Sequence, residues 1–118
     1  MRNHVQLADA YYRLSDEERK YGESASITNQ RTIVREYCEK HGIILVEEFT
    51  DDGYSGGNFE RPGFRAMLEH LKTGKVNMVI TKDLSRLGRD YIMTGHYMER
   101  YFPEHRVRYI SLLDGIDT

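Results

Sequence analysis

The chain has 118 residues, 39% hydrophobic and 31% charged, with a formal net charge of −2. That length suits one domain with a single buried core, and the lone Cys38 excludes an internal disulfide. Neither a long apolar run nor a signal-peptide pattern is present, so a soluble, cytoplasmic protein with no membrane partner is expected.

Residues 1–4 look polar and mobile. Leu7 to Leu14 reads as a strand, and the polar stretch Asp16 to Ser24 follows as a mobile connection. Ser26 to His41 reads as a helix stopped by Gly42, with Cys38 as core filling. Ile43 to Phe49 is the second strand. The stretch Asp51 to Arg61, carrying Gly53, Gly56 and Gly57, is the long irregular segment: either a loop permitting close backbone approach or an ordinary mobile connection. Pro62 to Lys72 is a helix with Pro62 at its first position, Phe64, Met67, Leu68 and Leu71 on one face, and Gly74 as a stop. Val76 to Thr81 is the third strand, Asp90 to Phe102 the third helix and Val107 to Leu113 the fourth strand. The alternation predicts an α/β fold: a mostly parallel sheet of about four to five strands with helices on both faces.

On that frame the polar residues gather at one edge. Arg13 and Ser15 follow the first strand, Asp51 and Asp52 the second, Lys82 to Arg89 the third and Asp114 the fourth. Ligands bind at the carboxyl ends of strands in open parallel sheets, so residues far apart in sequence converge on one crevice. Lys82-Asp83-Leu84-Ser85-Arg86-Leu87-Gly88-Arg89-Asp90 should open a helix there. Its free N–H groups, with Arg86 and Arg89 three residues apart on one face, would grip a phosphate. The alternative is a solvated helix start with pairs such as Arg86 to Asp90.

Ser15 is the hydroxyl nucleophile candidate, unless it is a cap, with Arg61, Arg86 and Arg89 available around it. The histidines at 4, 41, 70, 96 and 105 lack metal-ligand spacing, and there is no Gly-x-Ser-x-Gly elbow. Phosphoryl transfer to Ser15 remains, with guanidiniums neutralising the phosphate and its transition state and favouring the alkoxide, and with Asp51 or Asp52 shuttling a proton.

Tyr11-Tyr12-Arg13-Leu14-Ser15, Ser26-Ile27-x-Asn29-Gln30, Asp51-Asp52-Gly53-Tyr54-Ser55-Gly56, Phe59-Glu60-Arg61-Pro62-Gly63-Phe64 and Lys82 to Asp90 follow in an order and spacing that resembles the serine recombinase (resolvase/invertase) catalytic domain. The likeness is greatest to the subgroup of large serine integrases and transposases of mobile elements, and it runs from about Ala8 to Thr118. It implies DNA strand exchange: the serine attacks a phosphodiester, takes the 5′ end as phosphoserine and frees a 3′ hydroxyl. Four subunits then exchange ends and religate, without ATP, metal or cofactor. By motif position the nucleophile is Ser15, the phosphate-binding arginines are Arg13, Arg86 and Arg89, and Arg61 is the further catalytic arginine. Gln30 is a supporting polar residue and Ser55 the loop serine near the site. Tyr11, Lys82 and Ser85 lie within the same motifs, and the acidic residue maps to Asp51, with Asp52 open because this loop is one residue longer than in small resolvases.

Two departures stand out. Ser85 replaces the Asp that small resolvases place before the first arginine, with Asp83 two positions earlier, which leaves the local charge pairing open. The chain also stops at Thr118, so the resemblance implies that residues 1–118 are a catalytic domain whose subunit-joining helix and DNA-binding domains lie elsewhere. Double-stranded DNA and further subunits, from dimer to tetramer, would be its partners, and alone it would bind DNA poorly and recombine little. Two other readings compete: a non-catalytic assembly or regulatory module, and a phosphatase or small phosphotransferase of the same fold class.

Overall fold

The computed structural model describes residues 5–55 and 60–118. The segment 1–4, and the part of the glycine-bearing loop that contains Gly56, Gly57 and Phe59, lie outside the described residues. The strands are β1 (Leu7–Leu14), β2 (Ile44–Asp52), β3 (Met78–Thr81), β4 (Arg108–Ser111) and β5 (Ile116–Asp117). The α-helices are α1 (Ile27–His41), α2 (Pro62–Lys72), α3 (Leu84–Leu87), α4 (Tyr91–His96) and α5 (Phe102–Glu104). The sheet order is β2-β1-β3-β4-β5, parallel except for the antiparallel β4–β5 pair.

Strand β1 lies inside the sheet, and its alternation supplies both cores. Ala8, Ala10 and Tyr12 face α1 and pack with Val34, Cys38, Met78, Ile80 and Ile110. Tyr11 faces the other way and packs with Phe64, Met67 and Leu71 of α2, and with Leu87, Phe102 and Tyr109. Helix α1 begins where Ser26 accepts a hydrogen bond from Asn29 N–H and ends at Gly42, whose φ of 67° is the left-handed stop anticipated from sequence.

Several boundaries differ from the sequence reading. Strand β2 runs on to Asp52 because its last residues, Arg13–Asp51 and Leu14–Asp52, stay paired with β1. Strands β3 and β4 are shorter than expected, and the sheet has five strands, within the expected four to five; the sequence does not locate β5, since two residues carry no periodicity. The stretch Asp16 to Ser24 is not an open connection: Glu17–Ala25 forms 3-10 turns. The third helix is as expected a continuous helical run, from Tyr91 to Glu104, but its middle, Tyr97–Tyr101, is π-helical between α4 and α5.

Candidate active site

Strand β1 ends at the carboxyl edge of the sheet, and Ser15 follows it directly. The serine closes a reciprocal cap with Glu18: Ser15 N–H donates to Glu18 Oε1 at 3.0 Å, and Glu18 N–H donates to Ser15 Oγ at 3.2 Å. Ser15 Oγ–H donates to the same Oε1 at 3.0 Å. The cap reading of Ser15 therefore holds geometrically, and it aims the hydroxyl at a carboxylate.

That carboxylate is the centre of the cluster. Glu18 is only 5% exposed and accepts Arg86 Nη2 at 2.5 Å, Arg86 Nη1 at 3.4 Å and Arg89 Nη2 at 3.2 Å, with Arg13 Nη1 at 3.7 Å. Burial pushes the Glu18 carboxyl up, but hydrogen bonds from Arg86 and Ser15 and the Arg86 charge outweigh it and hold the group down at about 2. Burial likewise works against the Arg86 cation, and the Glu18 bond with the charges of Asp83 and Glu18 carries its pKa above the ordinary value. Sequence reasoning missed Glu18, although Ser15-x-x-Glu18 has the spacing of a capping box.

Arg86 and Arg89 do not share a helical face. Helix α3 ends at Leu87, and Arg89 lies beyond Gly88, yet both guanidiniums reach Glu18. The start of α3 is not open either: Leu84 N–H donates to Asp114 at 2.5 Å. Arg86 pairs with Asp83 at 3.1 Å rather than with Asp90, which caps α4 through Ile92 and Met93 N–H. Ser85 Oγ–H donates to Asp83 at 2.5 Å and accepts Arg86 Nη2 at 3.0 Å, so Asp83 and Ser85 together supply the local partner of the arginine.

Arg13 is fully buried and spends its fork on backbone carbonyls: Arg86 O at 3.3 Å, Tyr54 O at 3.0 Å and Ser85 O. Burial and the nearby Arg86 charge lower its pKa to about 10. Gln30 fixes the same strand end by accepting Arg13 N–H at 3.2 Å and donating to Arg13 O at 2.9 Å and Ala25 O at 3.1 Å.

A second layer lies behind the first. Arg61 is fully buried and donates to Tyr11 Oη at 3.1 Å, Arg86 O at 3.2 Å and Leu87 O at 2.6 Å, with its guanidinium 4.9 Å from the centre of the Phe64 ring. Tyr11 Oη–H donates to Asp51 at 2.6 Å, and burial keeps the phenol protonated. Asp51 also accepts Gly63 N–H at 2.8 Å and Phe64 N–H at 2.9 Å, capping α2 from the neighbouring strand. This layer braces the carbonyls of Arg86 and Leu87 and does not touch Ser15.

Of the remaining candidates, Asp52 and Lys82 stand apart from this cluster and Ser55 borders it. Asp52 is exposed and ion-paired with Arg19. Lys82 donates to Ser24 O at 2.6 Å and Asn29 Oδ1 at 2.8 Å, tying β3 to the 3-10 segment. Ser55 lines an open cleft of about 280 Å³ together with Ser15, Asp16, Glu17, Gly53 and Arg89. A larger cleft of about 740 Å³ lies beside α1, but the residues that line it, among them Glu36, Tyr37 and His41, include none of the candidates. Among the described residues no group of three or more His, Cys, Asp or Glu is arranged to hold a metal ion, and no helix is long and apolar enough to cross a membrane.

A search of curated proteins returns no match. Among solved structures, the chain is similar to the N-terminal catalytic domain of TP901-1 integrase, with a TM-score of 0.87 and 26% identity over 96% of this chain and 82% of that one. It is also similar to a resolvase family site-specific recombinase from Streptococcus pneumoniae, with a TM-score of 0.76 and 28% identity over 96% and 76%. The C-terminal catalytic domain of ISC1926 TnpA, an IS607-like serine recombinase, shares the fold, with a TM-score of 0.73 at 23% identity over 89% and 66%. The family model for the resolvase N-terminal domain matches residues 8–118, and the chain accordingly belongs to that family of site-specific recombinase domains.

Proposed function

We propose that this chain is the catalytic domain of a serine recombinase of a mobile element, acting in integration, excision or transposition, and that Ser15 is its nucleophile. The observation that carries the reading is the Ser15 hydroxyl, 3.0 Å from an anion that Arg86 and Arg89 hold. A phosphodiester brought to the same guanidiniums would present its phosphorus to that hydroxyl, beside the open cleft.

In the proposed reaction the Oγ–P bond forms as the bond from phosphorus to the 3′ oxygen breaks. The serine proton passes to water and the departing 3′ oxygen takes one up. The 5′ end remains as a phosphoserine ester, so one phosphate ester replaces another and religation needs no external energy. Arg86 and Arg89 neutralise the charge that grows in the transition state. Arg13, Arg61, Tyr11, Asp51 and Gln30 act as positioning residues through the backbone they hold. The same reading puts the protein in the cytoplasm. It also leaves most contact with duplex DNA, and the assembly of dimers and tetramers, to segments beyond residues 1–118.

Covalent capture tests this reading. The parent protein is incubated with supercoiled DNA carrying its element ends, and protein–DNA adducts are sought with and without chelator. An adduct that forms without metal and is lost in Ser15→Ala is the expected result. An adduct that survives Ser15→Ala moves the nucleophile elsewhere, and no adduct despite binding to the ends favours a non-catalytic assembly module.

A further inference from the structure

Glu18 is bonded far beyond what a cap requires. The cap uses Oε1, which takes Ser15 N–H. Oε2 does no capping and accepts Arg86 and Arg89. The groups around this carboxylate are the serine hydroxyl and the arginines that the proposed reaction assigns to the scissile phosphate. A carboxylate and a phosphodiester each offer two oxygens and one negative charge, so they compete for the same donors.

The electrostatics explain why a substitute anion is present. Burial and then the Arg86 charge depress the Arg13 pKa. Asp83 answers Arg86 at 3.1 Å, and Glu18 is the carboxylate that faces Arg13 and Arg89 as well, so two buried guanidiniums and a half-exposed one share its charge. The carboxylate also sits on a short polar segment rather than in the sheet. Glu17–Ala25 is made of 3-10 turns kinked at Gly22, where φ is 76°. It is held by the Ser15 cap and by Lys82 and Gln30 near its far end.

We infer that Glu18 occupies the seat of the scissile phosphate in the free domain and is displaced from Arg86 and Arg89 when DNA binds. This deepens the proposed function and rests on it. Glu18 thereby stabilises the empty site and sets a threshold for loading it. Its two effects have opposite signs: removing its charge weakens the folded domain and strengthens its hold on a phosphodiester. A purely structural residue would weaken both.

The test is an NMR titration of the chain with a deoxydinucleotide carrying one phosphodiester and no terminal phosphate, following Ser15 N–H and the arginine Nε–H signals. Wild type, Glu18→Gln and Arg89→Gln are compared, with thermal midpoints recorded for each. Giving up a competing charge-assisted bond corresponds to about tenfold in affinity. The expected result is that Glu18→Gln binds about tenfold more tightly with a lower thermal midpoint, while Arg89→Gln binds more weakly. If Glu18→Gln binds equally or less tightly while Arg89→Gln still weakens binding, the displacement is refuted and the phosphate site survives. If the signals of Ser15 and the arginines move in none of the three, the site reading and the inference fall together. Should Glu18→Gln not fold, the wild-type Glu18 carboxyl carbon decides. A shift from its ion-paired to its solvated position at saturation supports displacement, and no shift at saturation refutes it.

Discussion

Asp51 and Asp52 are adjacent in sequence, both fit the acidic position of the motif, and their neutralisation should have very different consequences. Asp51 is 2% exposed, and its two oxygens accept Gly63 N–H, Phe64 N–H and Tyr11 Oη–H. Asn retains one carbonyl oxygen. If that oxygen takes the Oδ2 position, the amide meets Gly63 N–H donor to donor; if it takes the Oδ1 position, Phe64 N–H is left without its acceptor. At least one buried N–H is orphaned either way, at about 1–3 kcal/mol. Loss of the negative charge at the start of α2 adds about 0.3–2 kcal/mol. Asp51→Asn is therefore expected to cost about 2–4 kcal/mol, which lowers the melting midpoint by on the order of 10–20 °C. Asp52 is ion-paired with Arg19 at the surface, each side chain about half exposed, so Asp52→Asn should cost about 0–1 kcal/mol. Urea denaturation of the two variants, followed by circular dichroism, reads both numbers. A loss under about 1 kcal/mol for Asp51→Asn would show that the α2 cap is not made as described, against the penalty for an orphaned donor. An equal loss for Asp52→Asn would refute the division of roles.

Two further outcomes follow from the same geometry. Gly63→Ala places a methyl group 2.6 Å from Thr50 O and 3.0 Å from Asp51 Oδ2, so the helix start must move off its cap. The expected loss is about 2–3 kcal/mol in the same urea assay, and an unchanged midpoint would contradict the close approach. The acid limb of stability should carry the signature of Glu18, whose carboxyl is lowered from 4.5 to about 2 by folding. Between those values the unfolded chain binds more protons than the folded one, so stability falls as pH drops from 4.5 toward 2. Urea midpoints across that range should fall steeply in wild type and less steeply in Glu18→Gln; parallel slopes would remove Glu18 as a source.

The legible part of this protein was what depends on near neighbours in the chain. The spacing of Phe64, Met67 and Leu71 after Pro62 marked α2 from end to end, and Ser26 and Gly42 marked both ends of α1. Alternation of strands and helices was enough for the parallel sheet with helices on both faces, and the sheet rule was enough to send Ser15 and the arginines to one edge. The missed elements are those whose stability comes from elsewhere. Strand β5 exists through its pairing with β4 and the ion pair of Arg108 with Asp117, and the end of β2 exists through β1.

The site divides in the same way. Its residue types are evident in the sequence, and so is the Ser15-x-x-Glu18 spacing of the capping box. Which arginine meets which partner was not evident, because those partners lie far apart: Tyr11 and Asp51 are separated by 40 positions, Glu18 and Arg86 by 68, and Arg13 and Ser85 by 72. A guanidinium has the same five donors whether it faces a phosphate, a carboxylate or a carbonyl. Burial against specific backbone oxygens makes Arg13 and Arg61 braces, and a half-exposed side chain beside the cleft leaves Arg89 facing solvent and Glu18. Short-range spacing specifies helices, strands and caps because their bonds close within a few residues; the division of labour among identical side chains is set only when the sheet brings distant segments together.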